Sequence, residues 1–373
     1  MGPLHGIRVL DFSTLLPGPM ATLMLAEEGA DVIKFERPGS GDDMRGYLPK
    51  CGADSVNFAM LNRGKRSLAI DLKEPAAWAR LDPLIAGADV MVEQFRPGVM
   101  ARLGLDYDRV AQANPRIVYC SINGWGQHGP RRLEAGHDLN YLAGTGPLSP
   151  SHSDTAHPVV PPALIADIAG GAWPVVMNIA LALVARERTG RGCYLNVAMT
   201  DNLFPFLYWV IGNALGAGRW PRSGGELVTG GSLRYRLCPT ADGRLVAAAP
   251  LEQRFWGNFC TLIGLPDALR EDAPDPEATA QAVGARIRER SAVQWQATFA
   301  GQDCCCTIVA TLEEALADPH FAARGLFARQ ITNAEGTCLP AMPLPLCAPF
   351  RAPAPGDTRP APALDAQGAE TLA

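Results

Sequence analysis

The chain opens by alternating two hydrophobic patterns. IRVLDFS reads as a buried strand, PGPMATLMLAEEG as a helix with proline near its start and Gly29 at its end, and DVIKFERPG as a second strand. The pattern returns as SLAIDLK, EPAAWARLDPLIAGA, DVMVEQFRPG and RIVYCSING, each strand closing on turn residues. A strand joined to the next by a helix runs parallel to it, because the crossover carries the chain back to the starting edge. The expected fold class is α/β, a mostly parallel sheet with helices on both faces.

A length of 373 residues exceeds one core and points to at least two domains. After GCYLNVAM, a further strand, NLFPFLYWVIGNALG reads as an aromatic helix, and the Gly- and Arg-rich stretch at 216–231 as a boundary. SLRYRLCPTADGRLVAAAP then suggests a hairpin turning at Ala241, Asp242 and Gly243, followed by helices to about residue 316. This is a smaller α+β domain. The tail from Leu339 is rich in Pro and Ala and is expected to run extended across another part of the molecule.

Several classes drop out. A net charge of −5 with no long Lys/Arg run argues against nucleic acid, though local cations can still grip a small polyanion. The run ALIADIAGGAWPVVMNIALALVA is long enough to span a bilayer, but Asp167, Gly170, Gly171 and Pro174 favour a helix buried in protein over a membrane anchor. The ten cysteines show no zinc-site spacing, even at Cys304, Cys305 and Cys306, so reduced thiols are expected. With no signal-like N-terminus, a cytoplasmic location is the expectation. None of GxxxxGK[ST], GxSxG and HExxH occurs, and no two of the six histidines have metal-ligand spacing on one helix face, so no metal is expected.

Chemistry-bearing residues remain. His137 follows Gly136, precedes Asp138, and lies after the strand that ends in SINGWGQHGP, where sheets of this kind hold ligands. By itself the pair is compatible with a cap or a core contact. Asp167 is a carboxyl among apolar residues near the start of a long helix, so either a cap or an acid/base group with a tuned pKa. Glu252 in APLEQRFW stands where a strand enters a helix, a capping position. Arg37, Lys73, Arg96 and Arg102 recur at strand ends, one rim of a parallel sheet.

The motifs IRVLDFSTLLPGPMATLMLAEEGADVIKFERPG, LNRGKRSLAIDLK, VEQFRPGVMARLGL, NPRIVYCSINGWGQHGP and DPHFAARGLF together resemble the family III CoA-transferases (CaiB/BaiF type). GHDLNY resembles their α-methylacyl-CoA racemase branch, where transferase members commonly read GYD. The resemblance implies a Rossmann-like large domain begun by residues 1–200, a linker at 201–230, a small domain at 231–316, and a return segment at 317–373 that completes the large domain. It also implies an interlocked homodimer in which Glu252 of one subunit orients His137 of the other.

The same resemblance implies an acyl-CoA thioester substrate and no separate cofactor. CoA would be held by Arg37; by Ile70, Asp71, Leu72 and Lys73; by Gln94, Phe95 and Arg96; and by Arg102. Gly136, Leu139, Asn140 and Tyr141 would line the thioester end, with Tyr235 on the substrate side and Met177 or Met199 under the acyl group. His137 and Asp167 would be two opposed bases that invert C2, and the Asp138 backbone N–H would bind the enolate oxygen. The alternative within the family is a CoA-transferase with Asp167 as nucleophile. The sequence departs from the racemase pattern at Ala163, where that branch has asparagine, and the cysteine triplet has no counterpart role.

Overall fold

The computed structural model describes residues 2–151, 157–271, 274–333, 336, 338–350 and 359–366. His152 and the rest of the tail lie outside the described residues. Contacts divide the chain into two compact units. The first comprises residues 1–145, 161–205 and 320–373, and the second residues 146–160 and 206–319.

The first unit is built on six strands: β1 (Arg8–Phe12), β2 (Asp31–Glu36), β3 (Arg66–Ala69), β4 (Val90–Glu93), β5 (Val118–Asn123) and β6 (Cys193–Ala198). Their order is β3-β2-β1-β4-β5-β6, with every neighbouring pair parallel. This is the doubly wound order, whose direction reverses between β1 and β4. Alternate residues serve the two faces. Leu10, Phe12, Ile33, Phe35, Leu68, Met91 and Tyr119 form one core with α3 (Ala77–Ala86) and α5 (Tyr107–Ala113). The other face meets α1 (Pro17–Glu27), all of whose residues are buried, which is why its sequence carries no polar stripe.

That second face contains charge. Asp11 of β1 accepts from Thr22 of α1 at 2.6 Å and from Lys65 at 3.2 Å, and Lys34 pairs with Asp42 at 2.9 Å. Burial alone would push Asp11 up, but Lys65, Lys34 and the Ser13 and Thr22 hydroxyls outweigh it and hold the carboxyl at about 2.

Residues 166–189 form one long helix whose first segment, Ala166–Ala172, is π-helical and whose remainder is α7 (Trp173–Thr189). By length and hydropathy it qualifies as a membrane span, yet it packs Val175, Ile179, Ala182 and Leu183 in the interior beside α1, β5 and β6. The expectation of a helix buried in protein holds for one face only. Trp173, Met177, Leu181 and Val184 leave an exposed apolar stripe at helical spacing.

The tail segment 359–366 lies along β3. Pro360 O accepts from Gly64 N–H, Asp365 Oδ1 accepts from Ala69 N–H at 2.8 Å, and Asp365 N–H donates to Ser67 Oγ. The Ala69 N–H, which the edge strand would otherwise expose, is thereby paired.

The second unit holds an antiparallel sheet of β7 (Arg236–Pro239), β8 (Leu245–Ala248) and β9 (Cys306–Ile308), with β8 central. Trp256, Phe259, Val283, Ile287, Trp295 and Phe299 pack on it from α9 (Gln253–Leu262), α10 (Pro276–Arg288) and α11 (Ala292–Phe299). The cysteine triplet has a structural role here: Cys304 is buried in this core and Cys306 belongs to β9. The segment 201–230, expected to be a linker, is helical over much of its length, including α8 (Tyr208–Ala217).

Candidate active site

All six strands of the parallel sheet point the same way, so the segments that follow them share one rim. Arg37 follows β2, residues 70–73 follow β3, residues 94–96 follow β4, and Gly124 and Trp125 follow β5. At the reversal point Gly18 N–H, in the first turn of α1, donates to Gln94 Oε1 at 3.1 Å. A cavity of about 410 Å³ opens on this rim. Gln94, Phe95, Arg96, Gly136, His137, Asn140 and Tyr141 line it, together with Asn123, Trp125 and Met199.

His137 sits at the entrance to α6 (Asp138–Thr145), where its carbonyl accepts from Asn140 N–H (2.8 Å) and Tyr141 N–H (3.2 Å). Asn140 Oδ1 reaches back to the His137 N–H at 3.0 Å, so the backbone is fixed by the residue three positions on. The imidazole is left exposed, without a hydrogen-bond partner among the described residues. Tyr141 is buried, donates to Gly136 O at 2.8 Å and meets Trp125 edge-on at 5.5 Å. A Cβ on Gly124 would lie 2.2 Å from the Tyr141 ring and one on Gly136 2.8 Å from it. Those two glycines are required by close approach.

Asp167 lies in the π-helical segment, half-buried, near His137 and Asp138. Burial raises its carboxyl, the Asp138 carboxylate raises it further, and His137 offsets part of the rise, leaving it at about 6. Asp167 is not a cap. Its own N–H donates to Asp138 Oδ1 at 2.9 Å. Asp138, 6% exposed, therefore does something the sequence did not suggest: its side chain ties the start of α6 to the π-helical segment. The Asp138 N–H, in the first turn of α6, has no acceptor among the described residues.

The other anticipated residues separate into groups. Arg96 faces the cavity with His137, whereas Arg37 is exposed and ion-paired to Asp43. Lys73 and Arg102 are exposed on the same rim outside the lining, and Asp71 accepts from Lys73 N–H. Ile70 is buried, and Leu72 and Phe95 pack against the core, so these contribute through backbone and shape. Leu139 is 43% exposed on α6. Glu252 and Tyr235 belong to the second unit. Glu252 occupies the N-cap of α9 but makes no side-chain cap bond, which corrects the capping reading and leaves an exposed carboxylate. Tyr235 lines a separate cavity of about 880 Å³ with Trp209 and Leu237.

Asn123 and Glu93 escaped the sequence reading. Glu93 ends β4 in a cavity of about 280 Å³ with Tyr107, Tyr119 and Tyr194, and burial, against hydrogen bonds from Ser121 and Phe95, lifts it to about 7. Both stand at strand ends, the one signal that would have marked them.

A parallel sheet of this order, with Arg96 and His137 on the cavity at its carboxyl rim, defines a doubly wound α/β scaffold. The model of CoA-transferase family III matches residues 4–368, and the chain belongs to that family. It is 36% identical over 352 residues to alpha-methylacyl-CoA racemase of Homo sapiens, covering 92% of this chain and 86% of that one. It is 34% identical to succinate–glutarate CoA-transferase of Agrobacterium fabrum, covering 100% of this chain and 95% of the relative. Among solved structures, a CAIB/BAIF family protein from Brucella suis superposes with a TM-score of 0.82 at 26% identity, covering 99% and 98% of the two chains.

Proposed function

We propose that the protein is a racemase or epimerase of 2-methylacyl-CoA thioesters, working by 1,1-proton transfer. The observation that carries this is the pairing of Asp167, a carboxyl raised to about 6, with His137 on the rim that also presents Arg96. Such a carboxyl and an imidazole can each give and take a proton at working pH, which is what inversion at a carbon acid demands.

The thioester carbonyl acidifies the C2 hydrogen. Neutral His137 takes that proton from one face while protonated Asp167 returns one to the other, and the roles exchange in reverse. The Asp138 N–H, at the start of α6 and without an acceptor among the described residues, is the proposed donor to the enolate oxygen, and loss of one such donor costs about 100- to 1000-fold in rate. Arg96, with Arg37, Lys73 and Arg102 along the rim, is the proposed cradle for the CoA phosphates. The two side chains account for both proton transfers, so the scheme calls on no separate cofactor.

The proposal includes the homodimer, with Glu252 of the partner subunit steadying His137. Two observations support it: the unpartnered imidazole, and the apolar stripe on α7, a surface of the kind that marks association.

The transferase relatives keep a second reading in view, in which Asp167 attacks the thioester. A carboxyl at about 6 can donate a proton and is also largely ionised at pH 7, so the products decide between the two readings. Incubation of one enantiomer of a 2-methylacyl-CoA in D2O tests the choice. Deuterium at C2 with loss of optical purity is expected, and His137→Ala should abolish it. Transfer of CoA to an added carboxylic acid, with Asp167 trapped by hydroxylamine, would overturn the racemase reading.

A further inference from the structure

We infer that Asn123 and Trp125 form a subsite that recognises an amide of the substrate's pantetheine arm; this rests on the acyl-CoA reading above. Three polar atoms point to it. Asn123 Oδ1, Asn123 Nδ2 and Trp125 Nε1 are all buried and all lack a hydrogen-bond partner among the described residues. Folded proteins pair nearly all such atoms, and those left unpaired call for a reason. Both residues line the cavity that holds His137 and Arg96.

Their positions are held firmly. Asn123 is the last residue of β5, and its carbonyl accepts from Met199 N–H at 2.9 Å. The Trp125 indole is fixed from two sides: Tyr141 meets it edge-on at 5.5 Å, and the Arg131 guanidinium stacks over it, 3.3 Å from the ring centroid. The indole N–H is therefore preorganised, so a ligand gains its hydrogen bond without the entropic cost of ordering the ring.

The chemistry of the set selects its partner. A carboxamide offers one donor and one acceptor side by side, whichever way it is turned, and the indole adds a second donor. Phosphate and carboxylate only accept, and would leave the amide oxygen unpaired. A secondary amide donates through N–H and accepts through C=O, matching Asn123, with lone pairs left for Trp125. An acyl-CoA carries two such groups between nucleotide and sulfur.

The test uses the full chain with Asn123→Leu and Trp125→Phe, and compares an acyl-CoA with an analogue whose amide nearest sulfur is replaced by an ester. Binding is followed by calorimetry and turnover by kcat and KM. Asn123→Leu should weaken acyl-CoA binding roughly 10- to 100-fold, mostly in KM, and should erase the amide-over-ester preference of the wild type. Because it removes two buried unpaired atoms, it should also leave the thermal midpoint of the ligand-free protein unchanged or raised. Trp125→Phe should weaken both ligands equally and keep the preference.

If Asn123→Leu keeps the wild-type affinity and preference, or lowers the ligand-free midpoint without touching binding, the subsite is refuted. The two readings fail separately. Wild type that binds acyl-CoA with an Asn123-dependent amide preference but exchanges no C2 hydrogen retains the subsite and loses the racemase. Exchange at C2 without Asn123 dependence does the reverse.

Discussion

Replacing Asp138 by asparagine separates charge from hydrogen bonding at the centre of the site. The new carboxamide keeps an oxygen for the Asp167 N–H, now 2.9 Å from Asp138 Oδ1, but loses the negative charge that helps to raise Asp167. Raised from 3.8 to about 6, the Asp167 carboxyl holds its proton roughly 100-fold more tightly than an ordinary aspartate. At pH 7 that keeps about one molecule in ten protonated, against about one in 1,500 without the shift. Burial is the larger cause and survives the substitution, so the carboxyl should fall only part of the way back. The assay is kcat/KM for C2 inversion between pH 4.5 and 8, which reports groups of the free enzyme. The limb governed by Asp167 should move to lower pH in Asp138→Asn, and activity at pH 7 should drop several-fold as the protonated fraction shrinks. A limb that stays in place, or moves upward, would refute the assignment of the raised pKa to Asp138.

Asp167→Asn should abolish inversion and yet stabilise the ligand-free protein. A carboxyl whose folded pKa lies above its unfolded value costs nothing below about 4 and its full amount above about 6, so the gain in thermal midpoint should appear as pH rises through that window and vanish below it. Gly124→Ala, whose Cβ would lie 2.2 Å from the Tyr141 ring, should lower stability by about 1–3 kcal/mol in urea titrations and reduce kcat/KM through displacement of Tyr141. Leu181→Arg, at a position 62% exposed on the apolar stripe of α7, should keep the chains from assembling, so that freshly expressed variant shows monomer or aggregate in light scattering; a monomeric wild type, or a variant that assembles as fully as the wild type, would count against the proposed assembly.

The strands were legible because each is a short apolar run closed by turn residues, and parallel pairing followed from the helices between them. The sheet then placed Arg96 and His137 on one rim without any motif search. What stayed hidden was non-local. Asp138 and Asp167 are 29 residues apart, and nothing in either segment announces that one carboxylate holds the other's backbone. Asn123 reads as a turn residue because a missing partner is visible only in three dimensions. Composition does not say which face of the long helix a neighbour covers, so its apolar run pointed to a helix buried in protein without showing that Met177 and Leu181 are exposed. Cys306 finds its explanation in a strand that pairs with β8 and Cys304 in the core packed on that sheet, contacts that local pattern does not encode.

The tail bonded along β3 sets a schedule for folding. Asp365 and Ala69 are 296 residues apart, a gap of roughly 15 to 60 seconds at ordinary rates of synthesis. During that interval the nascent sheet presents an unpaired edge, a template for any other extended chain nearby. Chaperone demand should therefore peak after β3 emerges and end only when residue 365 docks. Products truncated before residue 359 would carry that sticky margin permanently, and are expected in the aggregated fraction even though every strand of the sheet is intact.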